Sequence, residues 1–289
     1  MRFWKMNSEL KKSDLIKAYT NIGFSPNEAS SEIDFAIEII CGLTPKDLII
    51  GVMPSNKDIQ KLNEIIVRRL NTREPLAQIL GWAYFMGQKF EVSKATLIPR
   101  PETELLVNKA IEIIKEKDYK QILDIGTGSG CIACMIAKKT NAQVLGVDIS
   151  NEALKIALNN AMHLDLINKA LFRKSDLFSK IRPEEKYDMI VSNPPYIPPQ
   201  EKKNLQIEVK DFEPETALFT TDEKGIEFYE KITKYAPNYL NNGGYLLFEA
   251  GHGQAEMIKE IMSAYGFTNI VVLDDVSGTN RVVAGSLRL

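Results

Sequence analysis

The sequence predicts an α/β protein with a seven-stranded, mostly parallel sheet and an antiparallel last strand, preceded by a small helical domain and a β-hairpin linker. Three observations predict this fold. Residues 1–75 carry apolar side chains at helical spacing, and residues 76–101 are rich in glycine, proline and aromatic side chains. From residue 102 to 289, short apolar runs alternate with amphipathic stretches. Strands that alternate with helices imply right-handed crossovers and a parallel sheet covered on both faces.

The composition is that of an ordinary globular protein. The 289 residues include 36 basic and 38 acidic side chains, a net charge of −2, and 44% are hydrophobic. This near-neutral charge argues against a partner that is bound mainly through phosphates. Three cysteines are too few for a disulfide framework. The longest apolar run, residues 131–137, is too short for a membrane helix, and no apolar region of a signal peptide precedes Lys11. We therefore expect a cytoplasmic protein without a membrane partner.

The first predicted element is a bundle of amphipathic helices. Ser25 and Glu28 form the pattern of a capping box, and Gly42 is placed to end the helix that follows. A second run with the same apolar period covers residues 59–70. Up to Leu80 the segment has 11 basic and 10 acidic residues. We interpret it as a structural or substrate-docking module rather than a nucleic-acid reader.

The hairpin and the sheet follow in chain order. Gly81 and Gly87 punctuate aromatic and β-branched stretches, which is typical of a hairpin. A turn at residues 275–280 joins the last two strands without a helix, so we expect the last strand to be antiparallel to its neighbour. The predicted strands cover residues 122–125, 144–149, 170–173, 189–192, 245–250, 270–273 and 281–284, and the predicted helices cover residues 102–116, 151–162, 225–240 and 255–265.

A glycine-rich loop follows the first strand of the predicted sheet. Residues 126–130 read Gly-Thr-Gly-Ser-Gly, and such a loop lets the backbone approach a ligand closely, with N–H groups of the next helix facing it. Cys131 stands where a dinucleotide fingerprint has its third glycine, and the Gly-Lys-Ser/Thr of a P-loop is missing. The loop therefore favours neither a nicotinamide or flavin nor a nucleoside triphosphate.

Two aspartates follow the next two strands. Asp148 can accept both hydroxyls of a ribose, and the alternative role of helix N-cap suits Ser150 better. Asp176 can accept the exocyclic amine of an adenine, with Leu177 or Phe178 against the base, or it can cap a loop. Together with the glycine loop, these residues describe a nucleoside without a pyrophosphate. S-adenosylmethionine fits this description better than NAD.

The fourth strand leads into the sequence Asn-Pro-Pro-Tyr. Neither proline has an N–H, so the Asn193 side chain and the Pro194 carbonyl can offer two acceptors to a planar NH2 group. Such a nitrogen is a poor nucleophile because its lone pair is delocalised. Two acceptors can polarise its N–H bonds and hold it about 3 Å from an electrophilic methyl group. Tyr196 can stack on the planar group; the alternative is an ordinary proline turn.

No metal site or hydrolytic triad is predicted. Cys131 and Cys134 form a C-x-x-C pattern, but a second pair is lacking, so we interpret both as buried apolar residues. His163 and His252 have no serine or cysteine nucleophile in their context.

These motifs resemble those of a known family. Residues 124–130 together with the Asn-Pro-Pro-Tyr turn are similar to class I S-adenosylmethionine-dependent methyltransferases that methylate amino groups. Three further segments narrow the resemblance to the HemK/PrmC family of peptide chain release factor glutamine methyltransferases: residues 99–104, residues 212–218, and Gly278 with residues 281–283. The resemblance covers residues 73–283 and implies a Rossmann-like methyltransferase sheet in residues 102–289.

The resemblance also implies an activity and residue roles. The activity is methyl transfer from S-adenosylmethionine to the side-chain amide of the glutamine in the Gly-Gly-Gln loop of bacterial class-one release factors, with no nucleic acid required. The implied catalytic residues are Asn193, Pro194 and Tyr196, and Pro195 joins them in binding the substrate. The implied cofactor residues are Gly126, Thr127, Gly128, Ser129, Gly130, Asp148, Asp176, Leu177 and Asn193.

Some alternatives stay open at this point. Many relatives carry tryptophan after the aspartate, whereas Leu177 and Phe178 follow Asp176 here, so either side chain could contact the adenine. A ribosomal-protein glutamine or a base in nucleic acid is an alternative methyl acceptor. A non-enzymatic docking protein that retains the fold is a third hypothesis, and no oligomeric state is predicted.

Overall fold

The computed structural model describes residues 12–288, which form two compact units that divide after Gly81. The described part of the first unit contains helices α1 to α5: Lys12–Thr20, Pro26–Cys41, Pro45–Ile49, Asn56–Thr72 and Leu76–Leu80. Its core contains Leu15, Ile33 and Ile66, one from each of the three longest helices, all almost completely buried. Burial of these apolar side chains holds the bundle together.

The caps predicted for α2 are confirmed. The Ser25 hydroxyl accepts a hydrogen bond from the Glu28 amide at 3.2 Å, and the Glu28 carboxylate accepts one from the Ser25 amide at 2.8 Å. Gly42 ends the helix with φ of 67°, a conformation that glycine adopts without steric cost. The register of α2 is therefore set by local sequence.

The second unit contains a hairpin and a seven-stranded sheet. The strands of the described residues are β1 to β9: Trp82–Phe85, Gln88–Glu91, Gln121–Ile125, Gln143–Asp148, Ala170–Lys174, Tyr187–Ser192, Leu240–Glu249, Phe267–Asp274 and Asn280–Leu287. The hairpin pairs β1 with β2, and the sheet order is β5-β4-β3-β6-β7-β9-β8, with β9 antiparallel to both of its neighbours. The predicted sheet with its antiparallel last strand is confirmed.

Helices cover both faces of the sheet. Neighbouring residues Ile122 and Leu123 of β3 belong to two different buried clusters, because successive side chains of a strand point to opposite faces. The helices of this unit are α6 to α12: Thr103–Lys117, Cys131–Lys139, Asn151–His163, Ile207–Lys210, Glu215–Leu218, Glu227–Tyr235 and Ala255–Ala264. Within residues 12–288, none of the helices combines the length and apolarity that a membrane span requires.

The predicted linker, residues 76–101, is not one element. Its first residues form α5, and Leu76 is buried in the core of the first unit. Phe85 and Phe90 of the hairpin are buried in the core of the second unit, with ring centroids 6.0 Å apart. The apolar side chains of the segment are thus divided between two cores, which a reading based on its turn residues does not reveal.

Candidate active site

A cavity of about 400 Å³ lies at the carboxyl ends of four adjacent parallel strands. Residues 126–129 after β3, 148–150 from β4, 175–177 after β5 and 192–195 from β6 line it. Open parallel sheets bind ligands at this edge, and the volume is that of a small-molecule site. The structure therefore brings the glycine loop, both aspartates and the Asn-Pro-Pro part of the turn to one place.

The glycine loop is held by its backbone. The amides of Gly126 and Thr127 donate to the Val147 carbonyl of the adjacent strand at 2.9 and 3.0 Å, and Gly126 and Gly128 have φ of 73° and 55°. Residues with a Cβ atom rarely adopt this backbone conformation, so glycine is required where the loop turns. Gly126, Thr127, Gly128 and Ser129 line the cavity.

Gly130 has a different position from the one its predicted role requires. It is not among the described residues that line the cavity; it precedes α7, with φ of 77°. A Cβ atom at this position would lie 2.9 Å from the Ala157 Cβ atom and 3.1 Å from the Phe172 ring. Gly130 thus permits close packing of α7 on its neighbours.

The Asp148 carboxylate is oriented by two backbone donors. The amides of Gly128 and Ser150 each donate to one of its oxygens at 2.9 Å, and burial raises the pKa of the carboxyl group. The Ser150 hydroxyl accepts from the Ala153 amide at 3.2 Å, so Ser150 caps α8. Asp148 is not needed as the cap. Each of its oxygens retains acceptor capacity, which suits a pair of ribose hydroxyls.

The residues after β5 separate into a cavity face and a core face. Exposed Asp176 and half-buried Leu177 line the cavity. The Phe178 ring is buried and stacks on the Tyr239 ring, with centroids 4.7 Å apart. Leu177 has φ of 46°, and its carbonyl accepts a hydrogen bond from the Ser175 hydroxyl at 2.7 Å. Leu177 packs on the core cluster that contains Phe178, and of these two apolar side chains only Leu177 lines the cavity.

The Asn-Pro-Pro-Tyr turn places three of its four residues at the cavity: Asn193, Pro194 and Pro195. The Asn193 Nδ2 atom donates to the Thr103 hydroxyl at 3.3 Å. Tyr196 is not among the described lining residues; its ring packs on the core, and burial raises its pKa to about 12. The position of Tyr196 therefore does not support the predicted stacking on a planar substrate.

Sequence reasoning missed several residues around the cavity. Arg100 donates to Glu213 at 2.6 Å, and this buried carboxylate also accepts from the Ile98 amide at 3.3 Å. The pair joins two segments that line the cavity and that the sequence analysis used only as marks of resemblance. Burial raises the pKa of Glu249, at the end of β7, to about 7. A glutamate that ends a buried strand was the signal available for this last residue.

Among the described cysteines and histidines, only Cys131 lines the cavity. Cys131 and Cys134 are buried on α7, where burial raises their thiol pKa values, and Cys41 is half-buried. The His163 ring packs on the Trp82 ring at 5.4 Å between centroids, and His252 is exposed. Neither histidine is among the described residues of the cavity.

The chain is similar to known methyltransferases. A family model described as "Methyltransferase small domain" matches residues 102–210. The chain is 40% identical over 228 residues to the release factor glutamine methyltransferase of Fusobacterium nucleatum, a match that spans 78% of this chain but only 64% of that protein. It is 36% identical over 286 residues to the release factor glutamine methyltransferase of Flavobacterium psychrophilum, covering 96% of this chain and 98% of that one.

Solved structures agree on the fold. A methyltransferase from Pyrococcus furiosus matches with a TM-score of 0.52 and 18% identity, over 81% of this chain and 100% of that one. Similarity at this level of identity concerns the fold alone. The sequence identity to full-length relatives decides the family: the chain belongs to the release factor glutamine methyltransferases.

Proposed function

We propose that the chain transfers a methyl group from S-adenosylmethionine to the side-chain amide nitrogen of the glutamine in the Gly-Gly-Gln loop of bacterial class-one release factors. The observation that carries this proposal is that Asn193 and Pro194 line the same cavity as the glycine loop and Asp148. An acceptor pair for an NH2 group and a nucleoside site thus share one space. Family membership supports glutamine in a release factor as the methyl acceptor, and the cytoplasm is the location that this substrate implies.

The residues present fit S-adenosylmethionine. Glycines 126 and 128 let the backbone approach a ligand without side chains between them, and Asp148 offers oriented carboxylate oxygens. Asp176 and Leu177 provide a polar and an apolar contact for a base. When bound, this cofactor supplies an activated methyl group on a sulfonium.

The turn supplies the substrate side of the reaction. The Oδ1 atom of Asn193 and the carbonyl oxygen of Pro194 accept hydrogen bonds from the two N–H groups of the glutamine amide. Pro194 and Pro195 have no backbone N–H that could compete for these acceptors. Orientation and removal of water lower the barrier, because a bound amide no longer has to be aligned. The amide nitrogen would form its bond to the methyl carbon as the carbon–sulfur bond of the sulfonium breaks and leaves a neutral thioether. The methylated nitrogen would then release one N–H proton to solvent, so no base has to remove that proton beforehand.

Mass spectrometry of the release factor tests the proposal. The purified chain, S-adenosylmethionine and intact release factor should yield a mass increase of one methyl group on the Gly-Gly-Gln peptide. The same release factor with a Gln→Ala change in the loop is the matched control and should stay unmodified. Methylation of that control, or of a ribosomal protein or DNA in place of release factor, would contradict the proposed substrate.

A variant of the turn tests its role. We expect Asn193→Ala to lower kcat by about 100-fold or more, in the range found when one oriented hydrogen-bonding group is removed from a transition state. Binding of S-adenosylhomocysteine, measured by calorimetry, should change little, because the lost acceptor acts on the glutamine. Loss of that binding would show that Asn193 holds the cofactor instead.

A further inference from the structure

Two buried side chains lie next to Asn193: Thr103, which also lines the cavity, and Glu249, which is not among the described lining residues. Thr103 is the first residue of α6 and 3% exposed, and Glu249 is the last residue of β7 and 2% exposed. The Asn193 Nδ2 atom donates to the Thr103 hydroxyl at 3.3 Å. The Glu249 Oε2 atom has no hydrogen-bond partner among the described residues. A buried carboxylate oxygen in this state is costly, which calls for a specific role.

We propose that Thr103 and Glu249 are positioning residues that hold the Asn193 carboxamide with its NH2 group toward the protein and its Oδ1 atom toward the cavity. The inference rests on the proposed function and specifies how the site selects an NH2 donor. Thr103 lines the cavity, but the role proposed for it, as for Glu249, is to act through Asn193.

The need for positioning follows from the symmetry of a carboxamide. The oxygen and the NH2 group of asparagine have nearly the same size, so a half-turn about the last side-chain bond exchanges an acceptor for a donor. An asparagine in the wrong orientation would direct its own N–H bonds at the N–H bonds of the substrate amide. A hydroxyl and a carboxylate next to Asn193 favour one orientation, since an ionised carboxylate only accepts.

Several charged and titratable groups surround the Glu249 carboxyl and affect its pKa. Arg281 on β9 lowers the pKa of the Glu249 carboxyl and Glu102 raises it. The nearby Thr103 hydroxyl and Asn193 amide also lower this pKa, although neither completes a hydrogen bond to the Oε2 atom. The Arg281 guanidinium itself donates to Asp275 at 3.4 Å. Three further titratable groups interact with the carboxyl electrostatically: Tyr196, Tyr229 and Cys131.

A structural contact explains the main chain of Glu249 but not its side chain. The Tyr229 hydroxyl donates to the Glu249 carbonyl at 3.0 Å, which ties the end of β7 to α11. That contact would be the same with any residue at position 249. The main-chain contact therefore leaves the buried carboxyl group unexplained, and the proposed positioning of Asn193 gives it a role.

The first test replaces Thr103 in the full-length chain. Thr103→Val keeps the shape but removes the acceptor, and Thr103→Ser keeps the hydroxyl. We expect Thr103→Val to lower kcat on release factor about 10-fold, with the Kd of S-adenosylhomocysteine unchanged, and Thr103→Ser to recover most of the rate. A wild-type kcat in Thr103→Val, or equal losses in both variants, would overturn the proposal.

The second test uses Glu249. An ionised carboxylate holds Asn193 better than a protonated one, so kcat of the wild type should rise as pH increases through about 7, the pKa of Glu249. Glu249→Gln should remove that rise while leaving the thermal unfolding cooperative. An unchanged pH profile in Glu249→Gln would overturn the role of the carboxylate.

A readout that needs no substrate separates this inference from the proposed function. The side-chain NH2 resonances of Asn193, assigned by their loss in Asn193→Ala, should exchange slowly with water in the wild type and faster in Thr103→Val. If the wild type leaves release factor unmodified, the proposed function fails, and the exchange rates still test the positioning. Equal exchange in the wild type and Thr103→Val would overturn the positioning alone.

Discussion

At the scale of single residues, the carboxylate of Asp148 carries a separate prediction. Its two oxygens accept from the Gly128 and Ser150 amides, which orients the remaining lone pairs. Asp148→Asn keeps the shape but removes the charge and one acceptor. Because a hydrogen bond to a charged group contributes about 1.5–3 kcal/mol, we expect the Kd of S-adenosylhomocysteine to rise about 10- to 100-fold.

Calorimetry on two variants checks this prediction. Ser150→Ala is the matched control, because it removes the cap of α8 but leaves the Asp148 carboxylate intact. It should cost about 1 kcal/mol of stability with little change in Kd. If Asp148→Asn binds S-adenosylhomocysteine as tightly as the wild type, Asp148 does not hold the ribose.

Single residues also mark the limits of sequence reasoning at this site. The motifs placed both residues at the cavity because Asp148 ends one strand of a parallel sheet and Asn193 follows another. Tyr196 belongs to the same motif, yet the chain turns its ring to the core after two prolines. Thr103 lies 90 residues before Asn193 in the chain, and a contact over that separation has no signature in either motif. The sequence pattern thus predicts which residues lie at the strand ends, but the side chains that contact them depend on tertiary packing.

At the scale of elements, the Asn-Pro-Pro-Tyr turn depends on the segment before α11 and the one before α12. The Gln254 side-chain amide donates to the carbonyls of Tyr196, Lys224 and Gly225 at 2.9, 3.0 and 3.3 Å. A Cβ atom on Gly225 would lie 2.2 Å from the Tyr196 carbonyl oxygen. The Asn-Pro-Pro-Tyr turn therefore packs directly on the backbone of Gly225, where any side chain would collide with it.

A pair of glycine variants tests that contact. Gly225 and Gly253 have φ of 72° and 74°, but a Cβ atom at Gly253 would have no atom within 4 Å. Both alanine variants bear the same backbone strain of about 1 kcal/mol, and only Gly225→Ala also displaces the turn. We expect Gly225→Ala to lower kcat at least 10-fold more than Gly253→Ala, with similar binding of S-adenosylhomocysteine in both. Equal kcat values would show that the turn does not depend on this approach.

The elements themselves were largely predictable. Buried parallel strands such as β3 and β6 are continuous apolar runs, and the turn after residue 274 indicated the antiparallel pair β8 and β9. The short helices α9 and α10 were not predicted, because four residues are too few for a periodic pattern. Helix α11 ends at Tyr235 rather than at residue 240, since a 3-10 turn containing Pro237 follows it.

At the scale of the whole molecule, buried carboxyl groups predict how stability depends on pH. Burial raises the pKa of Asp124 from 3.8 and that of Glu249 from 4.5, each to about 7. Between about pH 4 and pH 7 these two carboxyl groups are protonated in the native state but ionised in the unfolded chain. The free energy of unfolding therefore falls as pH rises toward 7. The pKa values of Glu185 and Asp275 are lowered to about 2, from 4.5 and 3.8. Their contributions to the free energy of unfolding are therefore complete above about pH 5 and are lost only as pH falls toward 2.

Urea unfolding at pH 5 and pH 8 measures this effect. The wild type should be less stable at pH 8, by up to about 3 kcal/mol for each of the two groups. Glu249→Gln has no carboxyl at that position, so its loss of stability between the two pH values should be smaller than that of the wild type. An equal loss in the variant would mean that Glu249 titrates normally.

The division into two units predicts separable roles. The buried clusters of the second unit are formed by residues from Phe85 onward, and the core of the first unit ends at Leu76. Every residue that lines the cavity also belongs to the second unit. We propose that the first unit binds the protein substrate, because the second already contains the complete cavity and its own cores.

Deletion of residues 1–81 tests this division. If the first unit binds release factor, the truncated chain should retain the Kd of S-adenosylhomocysteine within about 3-fold, since a separate core supports the cavity. It should methylate a short Gly-Gly-Gln peptide as fast as the full chain, whereas the KM for intact release factor should rise at least 10-fold. The peptide is the matched control, because it lacks the surface that the first unit would contact. Equal KM values for intact release factor would assign substrate docking to the second unit, and an equal loss on both substrates would show that the first unit supports the catalytic site itself.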